Sequence, residues 1–201
     1  MSLLDFALMA SPHRCAGCGV ASQRLCPGCA RALGSPSVPR VPGAERVLVA
    51  FAYEGAARSL VLDLKLRGDR GAVQPLVTGL VRAVATTGLS ADVLTWVPGR
   101  PRENRRRGLD HAGILATQLG RALGLPAVPL LRRSAERPDQ TSLGAAERWA
   151  NLQGAFTARS CRGAVGLVDD LVTTGATAAT CAGALRGAGA AGIEVLAACS
   201  A

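Results

Sequence analysis

Along Val47 to Tyr53 (VLVAFAY) the larger apolar side chains Val47, Val49, Phe51 and Tyr53 fall on alternate positions, the pattern of a half-buried strand. An amphipathic stretch follows from Ala57 to Leu66. Two further stretches, Pro75 to Thr86 and His111 to Gly124, place apolar residues three or four apart, and the second stops at Gly124 ahead of Pro126. Between them lies the short β-rich run VLTWV, Val93 to Val97. Ala164 to Val168 and Ile193 to Cys199 read as strands on either side of a helical stretch from Ala176 to Ala190. Short apolar strands alternating with helices predict an α/β fold: a doubly wound, mainly parallel sheet with helices on both faces. In such sheets ligands sit beyond the carboxyl ends of the strands.

The segment GSPSVPRVPG, Gly34 to Gly43, interrupts this periodicity with three prolines and reads as a linker or extended edge. It divides the chain into a small N-terminal unit, 1–40, and a main domain, 41–201. The 201 residues leave room for one full domain and a small second one. The longest apolar run, Val47 to Tyr53, is far short of the roughly 18 residues needed to cross a bilayer, so no membrane insertion is expected. The opening MSLLDFALMA has no basic start and carries Asp5, unlike a signal peptide, which leads us to expect a cytoplasmic protein.

The small unit holds Cys15, Cys18, Cys26 and Cys29, two CxxC pairs seven residues apart. Each CxxC knuckle turns both sulfurs toward one point, and two knuckles supply the four thiolates that tetrahedral zinc prefers. A segment of about thirty residues has too little core to fold without such a staple. A redox dithiol is the competing reading, and His13 stands close enough to substitute for one thiolate. Cys161, Cys181 and Cys199 stand alone and read as small buried apolar residues.

Charge narrows the possibilities. The net balance is +9, and Lys65 is the only lysine among 23 basic residues. A P-loop needs a Gly-Lys-Ser/Thr sequence, and Lys65 stands between Leu64 and Leu66, so that nucleotide-binding class is excluded. A basic excess favours phosphate-bearing partners, although arginine standing in for lysine throughout also fits genome composition. Clustering is therefore the informative signal. Arg100, Arg102, Arg105, Arg106 and Arg107 crowd into eight residues just beyond the VLTWV strand, where they suit an anion site better than a solvated face.

The most informative stretch follows Val168: Asp169-Asp170-Leu171-Val172-Thr173-Thr174-Gly175-Ala176-Thr177. A buried strand ends in two carboxylates able to accept hydrogen bonds from vicinal hydroxyls. A threonine- and glycine-rich loop then opens a helix whose free N–H groups favour a phosphate dianion. Gly175 lets the backbone approach that phosphate, and Thr173, Thr174 and Thr177 add hydroxyl donors. The implied ligand is a sugar phosphate of the ribose 5-phosphate type. A strand that merely ends in acids capping the next helix is the plainer alternative.

The thirteen residues VGLVDDLVTTGAT, Val165 to Thr177, resemble the fingerprint of the type I phosphoribosyltransferases at every position. That resemblance implies that Asp169 and Asp170 hold the ribose hydroxyls of phosphoribosyl pyrophosphate (PRPP). It implies a PRPP-binding set of Val168 to Thr177, with the 5-phosphate in the loop. Val97 to Arg100, including Pro98 and Gly99, would form the pyrophosphate loop, with Arg100 or Arg102 meeting the diphosphate and Mg²⁺ accompanying it. Leu130 to Phe156, polar and arginine-bearing, stands where that family carries its flexible catalytic loop.

The paired CxxC, the VPGRPRENRRRG run, Gln140 to Leu143, Glu147-Arg148, Asn151 and Gly154-Ala155-Phe156, with the Asp-Asp fingerprint, together resemble the ComF family over nearly the whole chain. Tyr53-Glu54-Gly55 and Lys65 in LKLRGD fit that pattern. Asp110-His111 depart from it, standing where the family carries an Asn-Gln amide pair. ComF relatives are linked to natural competence and the handling of single-stranded DNA. The resemblance therefore implies two functions: transfer of the 5-phosphoribosyl group to an acceptor, with Asp169, Asp170 and Arg100 as catalytic residues, or a DNA-handling module that uses the fold for binding or regulation. Only 3% of the residues are aromatic, too few for strong base stacking, so weak phosphate-tracking contacts with DNA are the expectation.

Overall fold

The computed structural model describes residues 14–21, 24–99, 110–134 and 154–201. Four strands form a parallel sheet: β1 (Arg46–Ala52), β2 (Val93–Trp96), β5 (Ala164–Val172) and β6 (Gly192–Ser200), in the order β1-β6-β5-β2. A separate antiparallel pair joins β3 (Leu131–Arg133) to β4 (Phe156–Ala158). The helices are α1 (Pro27–Arg31), α2 (Gly55–Leu62), α3 (Val73–Thr87), α4 (His111–Leu123) and α5 (Ala176–Gly187). The α/β architecture expected from the hydrophobic pattern is the one observed.

The central strands are apolar on both faces because both faces are covered. On one side Leu60, Leu64, Leu76, Leu80, Leu115 and Leu119, from α2, α3, α4 and the turn after α2, meet Leu94, Val168 and Leu196. On the other side α5 presents Ala178, Ala182, Cys181 and Leu185 to Val165, Leu167, Ile193 and Val195, with Leu131 and Phe156 closing the layer. Small residues on α5 let that helix lie close to the sheet. Cys181 and Cys199 are fully buried, as small apolar residues would be, and Cys161 is half-buried. The outer edge of β2 is covered too: Leu94 N–H donates to Pro126 O, and Val128 N–H to Leu94 O.

Three details differ from the sequence expectation. First, β5 runs on to Val172, four residues past Val168, because β6 keeps pairing with it as far as Val172 and Ser200. Asp169 and Asp170 thus lie inside a strand and not after one. Second, the amphipathic stretch beginning near Ala57 is two elements, α2 and a π-helical turn, Asp63–Arg67. Third, β3 and β4 are three residues each, too short to show a period of two. The proline-rich stretch is extended and packed: Val41 is buried in the second core, and Ser200 Oγ donates to Ser37 O at 2.5 Å. Among the described residues no helix is long and apolar enough to cross a membrane.

Candidate functional site

β2 ends at Trp96 opposite Val168, with Val97 N–H donating to Val168 O at 3.0 Å before the chain turns away through Pro98 and Gly99. Among the described residues β5 is paired from Asp169 onward on the β6 side alone. The opening left by β2 is the crevice in which parallel sheets receive ligands.

Successive strand residues point to opposite faces, so the two acids part company. Asp169 joins Leu171, Val172, Thr173, Thr174, Gly175, Ala176, Thr177 and Ala178 around a solvent-open hollow of about 230 Å³. Asp170 is buried and forms an ion pair with Lys65, Nζ to Oδ1 at 2.7 Å. Val168 belongs to the first core and reaches neither. Withdrawal from water and the neighbouring Asp170 charge hold the Asp169 carboxyl well above the ordinary carboxylate range, although its outer face opens on the hollow. Burial acts to discharge Lys65, but the Asp170 charge outweighs it and the lysine is held above its ordinary value.

The floor of the hollow depends on Gly175. Its φ of +75° is left-handed, and a Cβ there would stand 3.0 Å from Val41 Cγ2 and 3.3 Å from Arg40 O. Gly175 is the N-cap of α5 and has no side chain to cap it. The exposed Thr173 and Thr174 lie beside its first turn, with Thr174 Oγ1 accepting from Ala176 N–H at 3.5 Å. Hydroxyls and the positive end of a helix thus border the same hollow as Asp169, an arrangement chemically suited to a hydroxylated anion.

Asp110 is the N-cap of α4; it accepts from Gly113 N–H at 3.5 Å and from Trp96 Nε1–H at 2.9 Å. Burial raises its carboxyl. The residue that departs from the family pattern thus anchors a helix and fixes Trp96 at the end of β2. Arg100, Arg102, Arg105, Arg106, Arg107 and the stretch 135–153, with Gln140, Glu147, Arg148 and Asn151, lie outside the described residues, as does His13. Lys65 is the site residue that pattern reading left unassigned. Its signal was present, since it is the one lysine where every other basic residue is arginine.

A second cluster lies in the N-terminal knuckle. The sulfurs of Cys15, Cys18, Cys26 and Cys29 all lie within 4.8 Å of one another, with Cys18 and Cys26 at 3.8 Å. Tetrahedral zinc with bonds of about 2.3 Å separates its sulfurs by about 3.8 Å, so the four cysteines fit one structural zinc. Burial acts to raise the Cys15 thiol, but backbone N–H groups of Cys26, Cys18 and Gly17 outweigh it and bring the thiol down to about 6. Hydrogen bonding to the neighbouring sulfurs raises Cys29 to about 12. Gly17 is required by space: a Cβ there would fall 2.7 Å from Cys29 Sγ and 3.2 Å from Ala56 Cβ on α2. Arg24, from the same knuckle, pairs with Asp69 and, at 3.8 Å, with Asp63. The knuckle is docked on the elements that lead to Lys65.

No family model matches the chain. The DNA utilization protein YhgH of Salmonella typhi is similar to it, 31% identical over 189 residues that span 87% of this chain and 83% of that protein.

Proposed function

This chain belongs to the family of the DNA utilization protein YhgH, and from that membership and the site at the end of β5 we propose that it binds PRPP and transfers its 5-phosphoribosyl group to an acceptor. The carrying observation is the hollow itself, in which Asp169, three threonines and the start of α5 converge beside the end of β2. In this reading Asp169 and Asp170 accept hydrogen bonds from the ribose 2′- and 3′-hydroxyls. The loop from Leu171 to Thr177 encloses the 5-phosphate. Pro98, Gly99, Arg100 and Arg102 meet the diphosphate, and Mg²⁺ bound with PRPP screens its charge. The acceptor's lone pair forms the new bond to ribose C1 as the bond from C1 to the pyrophosphate oxygen breaks, and Arg100 stabilises the departing anion. Zinc on Cys15, Cys18, Cys26 and Cys29 holds the unit 1–40 against the domain 41–201.

Calorimetry with Mg²⁺–PRPP tests the reading. Binding should weaken well over tenfold in the double variant Asp169→Ala with Asp170→Ala, since each lost charged hydrogen-bond partner costs roughly 1.5–3 kcal/mol. No heat with the wild-type chain up to millimolar PRPP would refute it, and incubation of labelled PRPP with cell extract is the route to the acceptor.

The name carried by the relative supports a second reading, weak single-stranded DNA binding through the arginines from Arg100 to Arg107. Those arginines adjoin the diphosphate position, so PRPP should displace DNA. Simultaneous, independent binding of both would place the DNA surface elsewhere; of the knuckle arginines Arg14, Arg24 and Arg31, the exposed Arg14 and Arg31 are the next candidates, since Arg24 is paired with Asp63 and Asp69.

A further inference from the structure

Lys65 stands on the π-helical turn Asp63–Arg67 and reaches Asp170 on β5. The turn is fixed on several sides. Asp63 accepts from Arg67 NH1 and also faces Arg24 of the knuckle, while Asp69, just beyond the turn, pairs with Arg24 and accepts from Gly71 N–H at 2.8 Å. The lysine is therefore presented to Asp170 by a rigid support rather than reaching it by chance. The Lys65 side chain keeps 31% of its exposure while that of Asp170 keeps 8%, so the lysine remains in reach of water and the acid does not.

Asp169 borders the hollow and Asp170 follows it on the other face of the strand, and the charge of the two acids together opposes an anionic ligand. A divalent cation is one solution; a fixed ammonium is another. From this geometry we infer that Lys65 is the built-in counter-cation of the Asp169–Asp170 pair, so that the sugar-phosphate end of the ligand docks there without a divalent metal ion. The inference rests on the sugar-phosphate reading of the hollow and adds to it the cation that faces the carboxylates. Lys65 touches Asp170 and not the ligand, and is accordingly a positioning residue.

Ribose 5-phosphate, which lacks the diphosphate, isolates the effect. We would titrate it by calorimetry into the zinc-loaded full chain, once in buffer freed of Mg²⁺ on a chelating resin before the protein is added and once in Mg²⁺. The wild type should bind with the same affinity in both buffers. Lys65→Met should lose about tenfold or more in the metal-free buffer, the loss typical of a charged partner, and regain it when Mg²⁺ is added. Lys65→Arg should behave as the wild type. Rescue by Mg²⁺ is the diagnostic readout, because a merely structural lysine would not be replaced by a metal ion. Wild-type binding that requires Mg²⁺, or Lys65→Met binding as tightly as wild type without metal, overturns the role of Lys65 and leaves the sugar-phosphate site standing. Wild-type chain that binds neither ribose 5-phosphate nor Mg²⁺–PRPP removes the site reading itself, and the inference with it. Circular dichroism checks the folding of each variant, and if Lys65→Met does not fold, the two wild-type titrations decide the matter.

Discussion

Between Arg14 and Arg31 the described residues bury a single side chain, that of Cys15, and α1 buries none, whereas in β6 every residue from Ile193 to Ser200 is buried. The knuckle and the sheet therefore answer the entropy of folding in different ways. The sheet removes leucine, valine and isoleucine from water on both faces, and each fully buried side chain contributes about 1.5–3 kcal/mol. The knuckle has no such reserve: its four sulfurs stand close enough to hold one metal ion, and it rests against α2. One region is held by many weak contacts that can be lost singly; for the other we expect a few strong bonds that fail together.

The largest effect should come from removing the metal. Structural zinc contributes on the order of 10–16 kcal/mol in small zinc modules. Chelation, or Cys15→Ser with Cys29→Ser, should release one zinc and expose the amides from Cys15 to Ala32 to exchange, while amides of β5 and β6 stay protected. Metal analysis with hydrogen exchange reads both, and a knuckle that stays protected after zinc loss would erase the contrast. The sheet should fail by degrees: Leu196→Ala, in the first core, should cost about 2–5 kcal/mol in urea unfolding. A smaller loss is expected of Gly175→Ala, which forces a side chain into a left-handed conformation against Val41, at about 1–3 kcal/mol with weaker sugar-phosphate binding. Unchanged stability there would mean that the loop relaxes freely.

The smallest effect concerns Asp169 and pH. A native carboxyl held above its ordinary value keeps its proton longer than the unfolded one does. The stability it contributes is complete below the ordinary carboxylate range and is lost as pH rises from that range through the raised native value. Asp169→Asn cannot titrate, so its stability should fall less over that interval when unfolding is followed as a function of pH. Equal slopes for the two chains would show that Asp169 ionises normally.

Local spacing made the knuckle and the Asp-Asp loop legible, because CxxC and a strand-loop-helix run keep their chemistry within a few consecutive residues. The helices α3 and α4 were legible for the same reason, within one or two residues at their ends. What escaped depends on distant partners. Nothing near Lys65 in sequence announces Asp170, and nothing near Arg24 announces Asp63 and Asp69; only the fold brings them together. The extension of β5 through two acids also ran against propensity, since Asp is depleted in strands, and was decided by pairing with β6. Asp110 could have been recognised as a helix cap from its place before His111, yet its bond to Trp96 could not.

The strand order β1-β6-β5-β2 has a consequence in time. During synthesis β1 leaves the ribosome long before β6, the strand it pairs with among the described residues, and at about 5–20 residues per second the interval is on the order of ten seconds. Throughout it Val47, Val49 and Phe51 have no strand to pair with, an unsatisfied apolar ribbon on a nascent chain. Chaperones that bind such ribbons would meet this protein first at β1, and would be released by the arrival of β6.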